Sequence, residues 1–208
     1  MRMTAALAGL IVLALVWGGP LPGVAAHAFA AHMVMHMSVV AVAAPLIAVG
    51  LTGTRVDPAA RVPWLFSPLL AAMLEFVIVW GWHMPALHGA ARAGGWVLAA
   101  EQGSFLLAGL LLWLSCLGRA AGGTVAGALM GTLALLVTSM HMTLLGALIA
   151  FAGRPLYGHV HGDLAATLAD QQMGGVIMLL AGGLVYLVGG LALMARVVLA
   201  DERRSAAP

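Results

Sequence analysis

Six long apolar runs leave this 208-residue chain few ways to fold. They lie near residues 4–17, 32–50, 63–82, 95–117, 124–151 and 171–198, and short polar or Gly- and Pro-rich breaks separate them. At 1.5 Å per helical residue, runs of this length reach, or nearly reach, across roughly 30 Å of bilayer hydrocarbon. Lipid cannot satisfy open backbone groups, so each run must be a helix. Hydrophobic residues make up 63% of the chain and charged residues 8%, far below the ~25% charge of a soluble domain. The predicted fold class is therefore all-α, a polytopic transmembrane bundle of about six spans. Residues 29–198 form the bundle and residues 199–208 a cytoplasmic tail.

Residues 1–28 read two ways. Arg2 and the apolar stretch after it, followed by Pro20, Pro22 and the small residues Val24, Ala25 and Ala26, have the pattern of a secretory signal peptide. A retained, slightly short first span fits equally well. The rest of the topology is the same in both cases.

Orientation follows from arginine, which supplies every basic residue. With the N-terminus inside, Arg2, Arg55, Arg61, Arg119, Arg196, Arg203 and Arg204 are cytoplasmic, and only Arg92 and Arg154 lie outside. That bias is the one expected of a bacterial cytoplasmic-membrane protein. A net charge of only +2 gives no footprint for a nucleic-acid partner; the surrounding medium is membrane lipid. The lone Cys116 cannot form an internal disulfide and reads as a small buried apolar residue.

On this orientation all eight histidines fall in the outer, periplasmic half or beyond it, many beside methionine. The run His32-Met33-Val34-Met35-His36-Met37 opens the second span. His32 and His36, one helical turn apart, share a face and could bind one metal. Trp82-His83-Met84-Pro85 closes the third span, and His88 follows in what reads as a loop. Met140-His141-Met142 lies inside the fifth span, where an ionisable side chain needs a partner or a role. Imidazole and thioether are copper ligands, and thioether favours the cuprous ion. The candidate metal residues are His32, His36, His83 and His141, with Met37 and Met142 as soft ligands. His141 lies deep enough that a separate polar site with Glu75 is the alternative. Glu75, Glu101 and Asp170 share this half and could hold the histidines in the right tautomer, although Asp170 could equally be a helix N-cap.

His32-x-x-x-His36-Met37, Trp82-His83-Met84-Pro85, Glu101-x-x-Ser104-Phe105, Leu156-Tyr157 and Asp170-Gln171-Gln172-x-Gly174-Gly175 occur in that order. Together they resemble the CtaG family of bacterial cytochrome c oxidase assembly factors, the multi-span type first linked to caa-type oxidases. The resemblance covers residues 30–193; no one motif is specific, but the ordered set is. It implies a non-enzymatic membrane protein that supplies copper to the oxidase catalytic subunit, with periplasmic copper chaperones as further candidate partners. The chain departs from the family in two ways. Members often have seven spans. Many also carry histidine near the Glu101 motif, where this chain has Ala99, Ala100 and Gln102, which puts a metal role for the fourth span in doubt. A single-spanning oxidase copper factor that shares the CtaG name uses paired cysteines, which this chain lacks. Two other readings remain: a copper permease, needing ligands through to the inner side, and a b-type haem protein with axial histidines such as His36 and His141.

Overall fold

The computed structural model describes residues 2–118, 124–157 and 163–205. Among them every regular element is helical and no strand occurs. Four stretches are long and apolar enough to cross a membrane: Phe29–Leu51, Gly95–Leu117 (α8), Val125–Ala150 (α9) and Leu164–Leu199 within the long helix Leu164–Ser205 (α10). A fifth is broken into α6 (Pro68–Trp82) and α7 (Pro85–Arg92), which meet at a 74° bend. The first helix, α1 (Arg2–Gly18), is apolar but only 17 residues long, and two short helices, α2 (Leu21–Ala25) and α5 (Pro58–Arg61), lie in the connections. These make the all-α polytopic bundle that the apolar runs predict. His159 and His161 lie outside the described residues.

Prolines set the irregularities. The stretch Phe29–Leu51 is not one uniform helix but α3 (Phe29–Met37), a π-helical segment Ser38–Ala43, and α4 (Ala44–Leu51). Pro45 has no N–H to offer the carbonyl four residues back, and its ring crowds that turn. The backbone widens just upstream, where the Ala44 N–H reaches the carbonyl of Val39 five residues away. Single π turns of this kind are frequent at functional sites. The third apolar run starts later than expected, since Pro63–Leu65 forms a 3-10 turn and α6 begins at Pro68 behind an extended Ser67. A residue before proline is driven out of the helical region, which explains that boundary. The same rule breaks the run at its far end: Met84 is extended, and Pro85 then opens α7.

Small residues let the helices close. A Cβ on Gly146 of α9 would come within 2.6 Å of the Leu179 backbone nitrogen on α10, so only glycine permits that approach. Ser139 on α9 also donates to the Gly183 carbonyl of α10 at 2.8 Å. Between α7 and α8 the chain reverses through Gly94 and Gly95, whose φ values of +84° and +66° lie in a region that costs glycine little. Arg92 steadies this corner by donating to the Ala26 carbonyl at 3.1 Å.

Candidate metal centre

The helix that carries His32 and His36 is anchored at its first turn by a carboxylate from the opposite end of the sequence. Asp170 accepts from the backbone N–H of Phe29 at 2.6 Å and of Ala30 at 3.1 Å. It is a cap, though not of its own helix: α10 begins at Leu164, and Asp170 reaches sideways to close α3. An anion there satisfies orphan donors and meets the positive end of the helix dipole. Glycine at 174 lets Phe29 and Met33 seat against α10. Gln171 accepts from the Leu156 N–H at 2.6 Å, and Gln172 donates to the Ala152 carbonyl at 3.2 Å. The Asp-Gln-Gln-x-Gly-Gly motif therefore binds α3 and the chain before Tyr157 to α10.

His83 ends α6. Its Nδ1–H donates to the Val79 carbonyl at 2.7 Å. A carbonyl can only accept, so this bond fixes the tautomer and leaves the Nε2 lone pair free. The Tyr157 hydroxyl donates to the His83 carbonyl at 2.9 Å. Burial pushes the Tyr157 phenol up to about 12, so it stays a neutral donor. Beyond His83 the Met84–Pro85 break turns the chain back, and His88, which reads as a loop residue in the sequence, comes to lie on α7 with its ring 4.7 Å from that of His32. Phe29 stacks on Tyr157 at 4.6 Å, and His88 touches both, at 5.1 Å from Phe29 and 4.7 Å from Tyr157.

The fourth span contributes Glu101. His32 Nε2 lies 3.0 Å from Glu101 Oε1, and Gln102 Nε2 donates to Oε2 at 3.1 Å. Trp17 of α1 in turn donates to Gln102 Oε1 at 3.4 Å, so a chain of polar contacts runs from α1 to His32. Three residues on, Ser104 donates to the Glu101 carbonyl and accepts from Trp82, both at 2.8 Å. Phe105 packs edge-on against His36 with ring centroids 3.8 Å apart. Residues of four helices thus converge on one point.

The result is a buried cluster of His32, His36, His83, His88 and Glu101, none more than 6% exposed. Ligand atoms of His32, His88 and Glu101 lie within 4.8 Å of one another. His36 sits one turn deeper, its ring 5.4 Å from that of His83. Among the described residues, both nitrogens of His36, and Nε2 of His83 and of His88, have no hydrogen-bond partner. Each such orphan costs about 1–3 kcal/mol if left unmet. The donor set fits a soft or borderline cation: several imidazole lone pairs, and one carboxylate to balance its charge.

The other predicted residues fall elsewhere. Met37 and Met142 meet at Gly182 of α10, with Met37 Sδ and Met142 Cγ 3.6 and 3.5 Å from where its Cβ would stand. His141 is not brought to His32, His36 and His83. It lies on α9 against Phe76, ring centroids 5.3 Å apart, and Phe76 precedes His83 by about 10 Å of helix. Glu75 is deeper still, and its carboxyl lies 2.6 Å from the Tyr186 hydroxyl, not against a histidine. Cys116 is buried, its thiol donating to the Gly131 carbonyl at 3.6 Å.

His88 and Gln102 join the site without a strong sequence signal. The clue to His88 is the Met-Pro step itself, because a proline-opened helix can fold back on the span it leaves. Gln102 has no periodic signature; only the proximity of α1 and α8 gives it a part. No curated protein and no solved structure matches the chain. A family model, described as the cytochrome c oxidase caa3 assembly factor (Caa3_CtaG), matches residues 1–199, a stretch that takes in the whole cluster, and the chain belongs to that family.

Proposed function

We propose that this oxidase assembly factor holds a cuprous ion in the His32–His36–His83–His88–Glu101 cluster and passes it to the catalytic subunit of the oxidase. The supporting observation is the set of bare, buried ring nitrogens on His36, His83 and His88 around the His32–Glu101 pair. Copper is cargo here, not a resident cofactor. Imidazole ligands bind cuprous ion without the grip of paired thiolates, so exchange to another protein stays possible. The Glu101 carboxylate offsets the ion's single charge in a dry site and holds His32 so that Nδ1 can face the metal. His36, one turn below, offers a second station, and Met37 and Met142 extend soft donors beyond it. The arginine bias supports a cluster on the periplasmic side of a bacterial cytoplasmic membrane, where copper chaperones would load it. The role calls for no bond to be made or broken in a substrate, so the protein is a carrier rather than an enzyme.

The packing favours copper over haem. His36 is held between Phe105 and His83, and His141 packs on Phe76, so these two histidines do not face each other as axial ligands. Metal analysis of the purified protein, with its visible spectrum, tests the reading. Copper is expected, no Soret band, and loss of the metal in His36→Ala and in His88→Ala, while His141→Ala retains it. A folded His36→Ala, His88→Ala double variant with full copper content would overturn the site. Normal copper and activity in the oxidase of a deletion strain lacking any redundant factor would overturn the role.

A further inference from the structure

About 12 Å back along α6 from His83, a second polar group is sealed in the bundle. Glu75 is 0% exposed. Its Oε1 lies 2.6 Å from the hydroxyl of Tyr186 on α10, and its Oε2 has no partner among the described residues. Tyr186 is also fully buried, stacked on Trp113 of α8 with ring centroids 5.5 Å apart and planes 17° off parallel. The same hydroxyl lies 3.4 Å from the carbonyl oxygen of Val40. Val40 belongs to the π-helical segment Ser38–Ala43, which continues α3 one turn below His36.

A phenol has one hydrogen, yet Tyr186 has two acceptor-type oxygens in reach, Glu75 Oε1 and the Val40 carbonyl. A carbonyl cannot donate. If Glu75 were ionised, the single hydrogen would go to the carboxylate and the Val40 contact would carry none. If Glu75 is protonated, its O–H donates to the Tyr186 oxygen and the Tyr186 O–H donates to Val40, so both contacts are hydrogen bonds. Charge points the same way. Among the described residues the one basic side chain within salt-bridge distance of a carboxylate is His32, and it stands against Glu101, not Glu75. The titratable groups within electrostatic reach of Glu75 are Tyr186 from α10 and Cys116 from α8; α9 offers His141, which faces Phe76, and the nearest ionisable group on α3 is His36. Among the described residues no arginine stands against the carboxylate, and an unpaired carboxylate at this depth is strongly disfavoured.

We propose that Glu75 and Tyr186 form a proton-binding site, and that its loading is read by the π-helical turn beneath His36. With the proton on, Tyr186 bonds Val40 and ties the π turn to α10. With the proton off, the phenol turns to the carboxylate and frees the Val40 carbonyl. The helix that carries His32, His36 and Met37 then keeps its Asp170 cap but loses this second tie to α10, so proton and metal occupancy are linked across one helical segment.

Infrared difference spectroscopy on the full-length protein in lipid tests this. At neutral pH the copper-free protein is expected to show the C=O stretch of a protonated carboxylic acid. That band should vanish in Glu75→Gln and move to higher frequency in Tyr186→Phe, which keeps the ring on Trp113 but removes the hydroxyl. Addition of cuprous ion should shift the band in the unaltered protein. No acid band at neutral pH, or a band that survives Glu75→Gln, overturns the proton site. A band in the unaltered protein that ignores copper, when copper binding is measured in the same sample, overturns the link to the histidine helix. Should Glu75→Gln not fold, the Tyr186→Phe shift decides alone.

Discussion

Glu101→Gln is the most searching single substitution, because it changes charge and hydrogen-bond polarity with almost no change in shape. Two donors converge on the carboxylate, His32 Nε2 at 3.0 Å and Gln102 Nε2 at 3.1 Å. An amide offers one acceptor and one donor, so it can satisfy only one of them. If its oxygen faces His32, its NH2 meets that of Gln102; turning Gln102 over relieves the clash but gives up the 3.4 Å contact from Trp17. If its NH2 faces His32, the imidazole must shift its proton to Nδ1 and loses the lone pair that would hold metal. Replacing a charged hydrogen bond by a neutral one costs about 1 kcal/mol. The larger loss is Coulombic. A carboxylate roughly 5 Å from a cuprous ion attracts it by about 3 kcal/mol at an effective dielectric of 20. The carboxylate is buried with and without the metal, so its desolvation bears on stability rather than on affinity, and a loss of about 3 kcal/mol is roughly 100-fold in affinity at 1.4 kcal/mol per decade.

The assay is an anaerobic competition titration of the detergent-solubilised protein against a chromophoric cuprous chelator, with thermal unfolding run beside it. The two measurements should part: affinity falls by about two decades, while the metal-free protein loses little stability and no helix. A folded Glu101→Gln protein with unchanged affinity would refute the reasoning, since it would mean that neither the charge nor the tautomer of His32 matters to the metal.

Asp170→Ala should lower stability by about 2 kcal/mol through loss of an anionic cap, and it should weaken copper binding as well, because the capped N–H groups of Phe29 and Ala30 directly precede His32; an unshifted thermal midpoint would count against the cap. Above pH 10 an unfolded Tyr157 ionises while the buried one holds its proton to about 12, so its contribution to stability is complete below 10 and lost between 10 and 12; Tyr157→Phe should abolish that part of the alkaline loss in a denaturation series. The first helix should be retained, with Gly50 of α4 closing on Ala6 and Trp17 reaching Gln102, and the intact mass of protein purified through a C-terminal tag should include residue 2; a mass beginning after Ala26 would refute it. Reporter fusions at Pro58 and after Pro208 should read cytoplasmic, and a periplasmic reading at the C-terminus would reverse the orientation.

By itself the sequence determined the class of fold and most of its segments. Apolar length is a local property, and in lipid it compels a helix whatever the neighbours do; Gly95–Leu117 is bounded identically by composition and by structure. It also determined the chemistry on offer, since the His32–His36 spacing puts both imidazoles on one face in any helix. Proline effects were legible in part: Pro45 announces a disturbance, but whether the turn before it kinks or widens into a π segment depends on what packs there.

Only the tertiary structure decided which of these groups meet. His88 and His141 are alike in composition, each an imidazole on or near a span, yet one joins the cluster and the other does not. His88 is returned to it by a 74° bend at the Met84–Pro85 break, which brings its ring against that of His32. His141 is kept away by the depth at which α9 sits against α6, a relative translation of two helices that no residue pattern encodes. Asp170 shows the same division. Its carboxylate reads as a capping group from sequence, but the helix it caps lies 141 residues away, and chain distance of that kind is resolved only when helices pack and their small residues decide how closely they approach.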